Sequence, residues 1–119
     1  MARNGYRLGI DLGTSNTAAI VRESDGRTRP LLFDGAPLLP SAVCLEPSGH
    51  MLVGREAVHA ARAYPDRYEP NPKQRVDEGT VLLGDSEVEV DALLAAILAR
   101  VGAEAARTQI GRASCRERV

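Results

Sequence analysis

Two short β-prone segments joined by a polar turn are the feature that most constrains this chain. Residues 6–12 alternate apolar and polar positions, which predicts a strand with one buried face. Residues 13–16, Gly-Thr-Ser-Asn, have turn composition, and a β-prone run resumes at residues 17–22. The sequence therefore predicts a hairpin whose turn is rich in glycine and hydroxyl groups.

The turn of this hairpin has the chemistry of an anion site. Successive backbone N–H groups of Gly13, Thr14, Ser15 and Asn16 can converge on an anion, and the hydroxyls add further donors. Asp11 precedes the turn on the polar face of the strand, where a carboxylate suits Mg²⁺ beside phosphate oxygens. Neither of the other common phosphate motifs, GxxxxGK[ST] and GxGxxG, is present. An ordinary surface hairpin without a ligand is the alternative that spacing alone leaves open.

The rest of the chain predicts further short strands and two helices, which indicates an α/β or α+β architecture. An amphipathic helix is predicted from Ala92 to about Arg107, and Asp91 stands at the position of its N-cap. The apolar face of this helix carries Leu94, Ile97, Leu98, Val101 and Ala105. Residues 66–79 contain two prolines and many charges and are expected to form an extended loop. The other predicted elements are strands at 28–33, 41–46 and 50–53, a helix at 55–63, and a hairpin of 80–83 with 87–90.

Composition excludes several functional classes. A formal net charge of -1, with scattered basic residues, gives no electrostatic case for binding nucleic acid or an anionic membrane. No segment has the roughly 20 apolar residues that cross a bilayer, and the first residues lack the apolar core of a signal peptide. Two cysteines, Cys44 and Cys115, do not make a disulfide framework, so a reducing cytoplasm is the expected location. Cys44 is expected to be a small core residue.

The last ten residues, 110–119, resemble the translation of a short-read sequencing adaptor. We therefore expect them to be a non-native tail, and residues 1–109 to be the native part of a reading frame cut short by the end of a sequencing read. The tail contains three arginines and one glutamate, so removing it changes the net charge from -1 to -1 - (3 - 1) = -3. A genuine, frayed basic C-terminus is the alternative.

Residues 9–17, Gly-Ile-Asp-Leu-Gly-Thr-Ser-Asn-Thr, resemble the first phosphate motif of the actin–hexokinase–chaperone superfamily, and especially that of DnaK-type chaperones. Three downstream segments add to the resemblance. Residues 39–43 resemble the family's Thr-Pro-Ser-Val-Val strand, residues 52–57 resemble the start of its Val-Gly-x-x-Ala helix, and the spacing from Pro65 to Lys73 matches the spacing to its catalytic lysine. The similarity covers most of residues 6–107.

The resemblance implies an incomplete ribonuclease H-like lobe of the actin-like ATPase type, formed by residues 1–109 as the N-terminal part of a nucleotide-binding domain. It implies ATP and Mg²⁺ as ligands, with Asp11 holding the metal through water. The residues of the turn, from Gly13 to Asn16, would bind the phosphates. Lys73 would lie beside the γ-phosphate and help to place the attacking water, so that catalysis depends on positioning and electrostatics.

Two departures from the family pattern affect the lysine. Gln74 follows it where the family usually has a basic residue, and Pro72 precedes it where the family has an aliphatic residue. The Pro-Asn-Pro-Lys segment is therefore expected to change the direction in which Lys73 points. From Lys73 alone, a solvated loop cation is the alternative.

The parent protein is expected to be a DnaK-type Mg-ATPase whose partners, unfolded client proteins and co-chaperones, bind regions outside this chain. A bacterial actin-like filament protein involved in cell shape is the alternative, and a sugar kinase is disfavoured because no sugar-binding segment is recognisable. Later phosphate and adenosine segments are absent from the sequence, so this chain alone is expected to bind nucleotide very weakly and to hydrolyse none. Its exposed apolar faces are expected to favour aggregation.

Overall fold

The computed structural model describes the backbone of residues 5–117 and the side chains of residues 5–109. Its first sheet is built on the predicted hairpin. Strand β1 (Tyr6–Leu12) pairs antiparallel with β2 (Asn16–Glu23), and the other edge of β2 pairs with β3 (Thr28–Pro30) and, near the turn, with β4 (Leu39–Pro40). The first residues of β2, which follow the turn of the hairpin, therefore lie between β1 and β4.

A second sheet packs against a short helix. Strand β5 (Val43–Leu45) lies between β6 (Met51–Val53) and β7 (Tyr68–Glu69), all antiparallel. Helix α1 (Arg55–Ala60) follows Gly54, whose φ of 72° belongs to the left-handed region that favours glycine. A Cβ at Gly54 would also lie 2.3 Å from the Leu39 side chain, so this glycine lets α1 pack closely against β4.

A two-stranded hairpin and a long helix complete the fold. Strand β8 (Thr80–Leu83) pairs with β9 (Ser86–Glu89), and the chain enters helix α2 (Val90–Glu117) directly. One core joins α2 to the first and second sheets, with buried side chains from all three: Val21, Leu31, Phe33, Leu39, Val43, Leu93, Ile97 and Val101. The molecule is thus a mixed α/β structure, as the sequence predicts, and its strands form several small sheets.

The segment predicted as an extended loop at 66–79 is in fact largely regular. Pro65–Arg67 and Pro72–Glu78 form 3₁₀ helices, with β7 between them. Proline at the first position of each 3₁₀ helix has the fixed φ that a helix start needs. It also costs no hydrogen bond, because an N–H at that position would have no partner within the helix. The prediction was wrong because it took these prolines only as breakers.

Several predicted boundaries also needed correction. The strand expected at 28–33 ends at Pro30, and Leu31 instead donates its N–H to the Ala19 carbonyl from outside the strand. The strand expected at 41–46 is reduced to Val43–Leu45, and the helix expected to reach residue 63 ends at Ala60. Two of the apolar β1 residues expected to be buried, Tyr6 and Ile10, are 36% and 38% exposed.

The face of α2 differs from the predicted one. The helix begins at Val90, so Asp91 lies in its first turn and is not the N-cap. The buried face is formed by Val90, Leu93, Ile97, Val101 and Ala105, whereas Leu98 is 40% exposed and Leu94 is only half-buried. The helical backbone continues past Arg107 and through the predicted tail as far as Glu117. Between residues 5 and 117, no helix is long and apolar enough to cross a membrane.

Candidate functional site

The 13–16 turn is positioned by the strands on either side of it. The β1–β2 register pairs Leu12 with Thr17 and Asp11 with Ala18. Leu12 and Thr17 face the core, so Asp11, one position away, lies on the opposite and exposed face of the sheet. Thr14, Ser15 and Asn16 are also exposed. The predicted anion-binding and metal-binding side chains therefore share one accessible end of the hairpin.

Gly13 is required by the tightness of this turn. Its N–H donates to the Asn16 carbonyl oxygen at 3.1 Å. A Cβ at position 13 would lie 2.4 Å from that same oxygen, well inside contact distance, so any larger residue would force the backbone apart. The close approach explains why the sequence has glycine here.

The segment from 39 to 41 supports the turn from the side of β2. The Ser41 N–H donates to the Ser15 carbonyl at 2.9 Å. The hydroxyls of Thr17 and Ser41, both fully buried, lie 2.9 Å apart and form a hydrogen bond. These contacts give a physical reason for a Leu-Pro-Ser segment beside the hairpin, because its serine satisfies one buried hydroxyl and one turn carbonyl.

Lys73 reaches the same turn from the opposite side. Its Nζ donates to the Leu12 carbonyl at 2.7 Å across a separation of 61 residues. The Asn71 side-chain amide, oriented by its hydrogen-bond partners, donates from its nitrogen to the Thr14 carbonyl at 2.9 Å. Pro72, between them, is buried at the start of the 3₁₀ helix. The Pro-Asn-Pro-Lys segment thus points Lys73 at the turn.

The backbone polarity of the turn follows from these contacts. The carbonyls of Leu12, Thr14, Ser15 and Asn16 all accept hydrogen bonds. By contrast, the backbone N–H groups of Thr14 and Ser15 make no hydrogen bond with the described part of the chain, and both residues are exposed. A turn with occupied carbonyls and available N–H groups offers positive dipole ends to a ligand, as an anion site requires.

Asp11 has the freedom that a metal-binding carboxylate needs. It makes no hydrogen bond or ion pair with any side chain in residues 5–109. The described residues contain no group of three or more carboxylate, histidine or cysteine side chains that could enclose a metal ion. A single carboxylate beside phosphate oxygens nevertheless fits Mg²⁺, which keeps several of its waters and usually takes one or two protein carboxylates.

Sequence reasoning missed the residues that hold the lysine loop. Glu69 is 5% exposed, and its two carboxylate oxygens accept the Asn71 N–H at 2.9 Å and the Arg75 Nε–H at 3.1 Å. The only signal in the sequence is a glutamate and an arginine that flank the Pro-Asn-Pro-Lys segment, six residues apart. That spacing suggests a loop closed by an ion pair, but it does not say that the carboxylate is buried.

Cys44 and the two histidines, His50 and His59, have the surroundings of ordinary structural residues. Cys44 is fully buried, in agreement with its predicted place in the core, and burial raises the pKa of its thiol, with a smaller contribution from Glu46. His50 and His59 are exposed, and His50 lies 3.4 Å from the Glu46 carboxylate.

Comparison with known proteins supports the chaperone resemblance. No protein-family model matches the chain. Over 100 residues the chain is 34% identical to the chaperone protein DnaK of two strains of Halobacterium salinarum. The similar region covers 82% of this chain but only 16% of each relative. The chain is therefore similar to one part of a DnaK chaperone.

Proposed function

We propose that this chain supplies the first phosphate-binding hairpin and the catalytic lysine of an ATP-hydrolysing, DnaK-type chaperone. In this proposal residues 1–109 belong to an actin-like nucleotide-binding lobe, and residues 110–119 are a non-native tail. The parent protein would be cytoplasmic, with unfolded clients and co-chaperones bound by its other regions. The observation that carries the proposal is the contact between Lys73 and the Leu12 carbonyl, since it brings the expected catalytic cation to the expected phosphate turn.

Each predicted residue has a role that its surroundings allow. The available N–H groups of Thr14 and Ser15, with the neighbouring hydroxyls, would bind the oxygens of the β- and γ-phosphates. The Asp11 carboxylate would hold hydrated Mg²⁺ by accepting hydrogen bonds from its waters. The bound metal supplies neutralisation of the phosphate charge. Lys73, moving from the Leu12 carbonyl to a γ-phosphate oxygen, would stabilise negative charge and orient the attacking water.

The bacterial filament alternative is less well supported. A filament protein of this kind would have a similar turn and a similar Pro-Ser strand, so the hairpin alone does not distinguish the two. The relatives found in the comparison, however, are chaperones.

Calorimetric titration with Mg-ATP tests the proposal in two forms of the protein. The complete gene product is expected to bind Mg-ATP, and Asp11→Ala is expected to weaken the magnesium-dependent part of that affinity by about tenfold. Arg27→Ala is the control, because Arg27 is an exposed cation paired with Asp25 at the far end of the hairpin. The isolated chain is expected to bind too weakly to measure. No Mg-ATP binding by the complete product would refute the assignment.

A further inference from the structure

We propose that Glu69 is a positioning residue for Lys73, and that its buried carboxylate sets the loop from which the lysine reaches the 13–16 turn. This inference rests on the proposed function for its catalytic consequence. The contact geometry on which it is built does not depend on that function.

Glu69 is an unusual residue to bury. Ending β7, it is 5% exposed, and its side chain is 7% exposed. Taking a carboxylate out of water is costly unless hydrogen bonds and an opposite charge replace the lost hydration. Both Glu69 oxygens have such partners, the Asn71 N–H and the Arg75 guanidinium.

These partners lie two residues before and two residues after Lys73. The carboxylate therefore closes residues 69–75, the Glu69 loop, around the lysine. Inside the loop, Pro72 is buried and its φ is fixed, so the residue directly before Lys73 is held in place. We infer that the carboxylate and the proline together set the position of the Lys73 backbone, from which the side chain extends to the Leu12 carbonyl.

The Glu69 loop is also tied directly to the 13–16 turn. The Asn71 side chain donates to the Thr14 carbonyl, and the Lys73 ammonium donates to the Leu12 carbonyl. The Glu69 carboxylate holds the Asn71 backbone. It therefore also fixes the point from which the Asn71 side chain reaches the 13–16 turn. A lysine side chain is long and flexible, so its placement depends on where its backbone is held.

The isolated chain allows a direct structural test, because Lys73 is its only lysine. Protein labelled with ¹⁵N-lysine should give one side-chain ammonium signal, and its hydrogen bond to Leu12 should slow exchange of the ammonium protons with water. In Glu69→Ala we expect exchange faster by about tenfold or more, as for a solvated lysine. Glu78→Ala is the matched control, since Glu78 also binds Arg75, at 3.0 Å, but is half-exposed. Its signal should be unchanged.

Hydrolysis by the complete gene product tests the catalytic consequence. We expect Glu69→Ala to lower kcat by roughly tenfold to a hundredfold, because small misplacements of a catalytic group cost that much. The KM for Mg-ATP should change by about twofold or less, since the turn itself is intact. Glu69→Gln keeps an acceptor for the Asn71 N–H, so it should recover most of the lost rate.

A double substitution separates positioning from general destabilisation. If Glu69 acts through the lysine, adding Glu69→Ala to Lys73→Ala should lower kcat by no more than about twofold. Equal losses in both backgrounds would overturn the inference, as would an unchanged ammonium signal in folded Glu69→Ala. Asn71→Ala serves as a second probe if Glu69→Ala does not fold, and an unchanged ammonium signal there would also count against the inference. Absence of hydrolysis in the unsubstituted protein would refute the proposed function, while the ammonium signal would still decide the role of Glu69.

Discussion

The ammonium nitrogen of Lys73 lies 2.7 Å from the carbonyl oxygen of Leu12, the last residue of β1. This hydrogen bond joins the Glu69 loop to the 13–16 turn although the residues are 61 positions apart. In the proposed function, the Lys73 ammonium would exchange this backbone carbonyl for a phosphate oxygen. The contact therefore connects the fold to the proposed chemistry.

Substituting the lysine should separate catalysis from binding. In the complete gene product, Lys73→Ala is expected to lower kcat for ATP hydrolysis by about a hundredfold or more, because a group that stabilises transition-state charge is lost. The dissociation constant for Mg-ATP should change by only about threefold, since the turn and Asp11 remain. Single-turnover hydrolysis and calorimetry measure the two quantities separately. Equal losses in both would contradict a catalytic role.

Gly13→Ala should destabilise the protein. The added methyl group meets the Asn16 carbonyl oxygen at 2.4 Å, and we expect a loss on the order of 2 kcal/mol in the free energy of unfolding. Gly102→Ala is the matched control, because a Cβ there has no neighbour within 4 Å and lies inside α2. That control should gain about 0.5–1 kcal/mol from helix propensity. Urea denaturation of both variants measures the change in the free energy of unfolding, which should be a loss for Gly13→Ala and a gain for Gly102→Ala.

The buried hydroxyl pair of Thr17 and Ser41 should behave as a coupled unit. Thr17→Val leaves the Ser41 hydroxyl buried without this partner and should cost about 1–3 kcal/mol. Adding Ser41→Ala should cost little more, because no lone hydroxyl then remains. A double-mutant cycle by chemical denaturation measures the coupling, and simple additivity of the two single losses would show that the hydrogen bond is not formed.

The sequence predicted the parts of this structure that depend on local pattern. The period of two in residues 6–12 identified β1, and the turn composition of 13–16 identified the hairpin and its end. The 3₁₀ helix at Pro72–Glu78 was missed, because it is anchored by Glu69 and packs against α2, neither of which local composition reveals. Leu93 was missed for a related reason. The orientation of α2 depends on where the sheets pack against it, and periodicity alone allowed either Leu93 or Leu94 to face inward.

Acid should weaken the packing of α2 through Glu104. Burial raises the pKa of this carboxyl, but hydrogen bonds from Arg100 and Arg107 outweigh it, so the pKa lies below its usual value of 4.5. A lowered pKa gives stability that is present above the unfolded pKa and is lost as pH falls through the folded value. The free energy of unfolding should therefore decrease below about pH 4.5.

Glu104→Gln should make that decrease shallower and should cost on the order of 1–2 kcal/mol at pH 7. Denaturation at a series of pH values gives both quantities. Glu56→Gln, at an exposed position in the first turn of α1, is the control. A Glu104→Gln variant with the same pH dependence as the unsubstituted protein would contradict this account.

Cys44 should be unreactive in the folded protein. The residue is fully buried, and burial raises the pKa of its thiol, so little of the nucleophilic thiolate forms at neutral pH. In a Cys115→Ser background, modification at pH 8 should be slower than in urea by about a hundredfold or more. Reaction at the rate of an unfolded control in native buffer would show that the second sheet opens readily.

Strand β1 is an edge strand of its sheet, since among the described residues it pairs only with β2. A seven-residue strand with an open edge offers its backbone donors and acceptors to whatever extended segment comes near, including the same strand of another molecule. Ile10 and Ile20, each more than a third exposed, add apolar surface to that hairpin. The chain by itself is therefore expected to self-associate as its concentration rises, and covering the open strand should reduce that association more than any change of buffer.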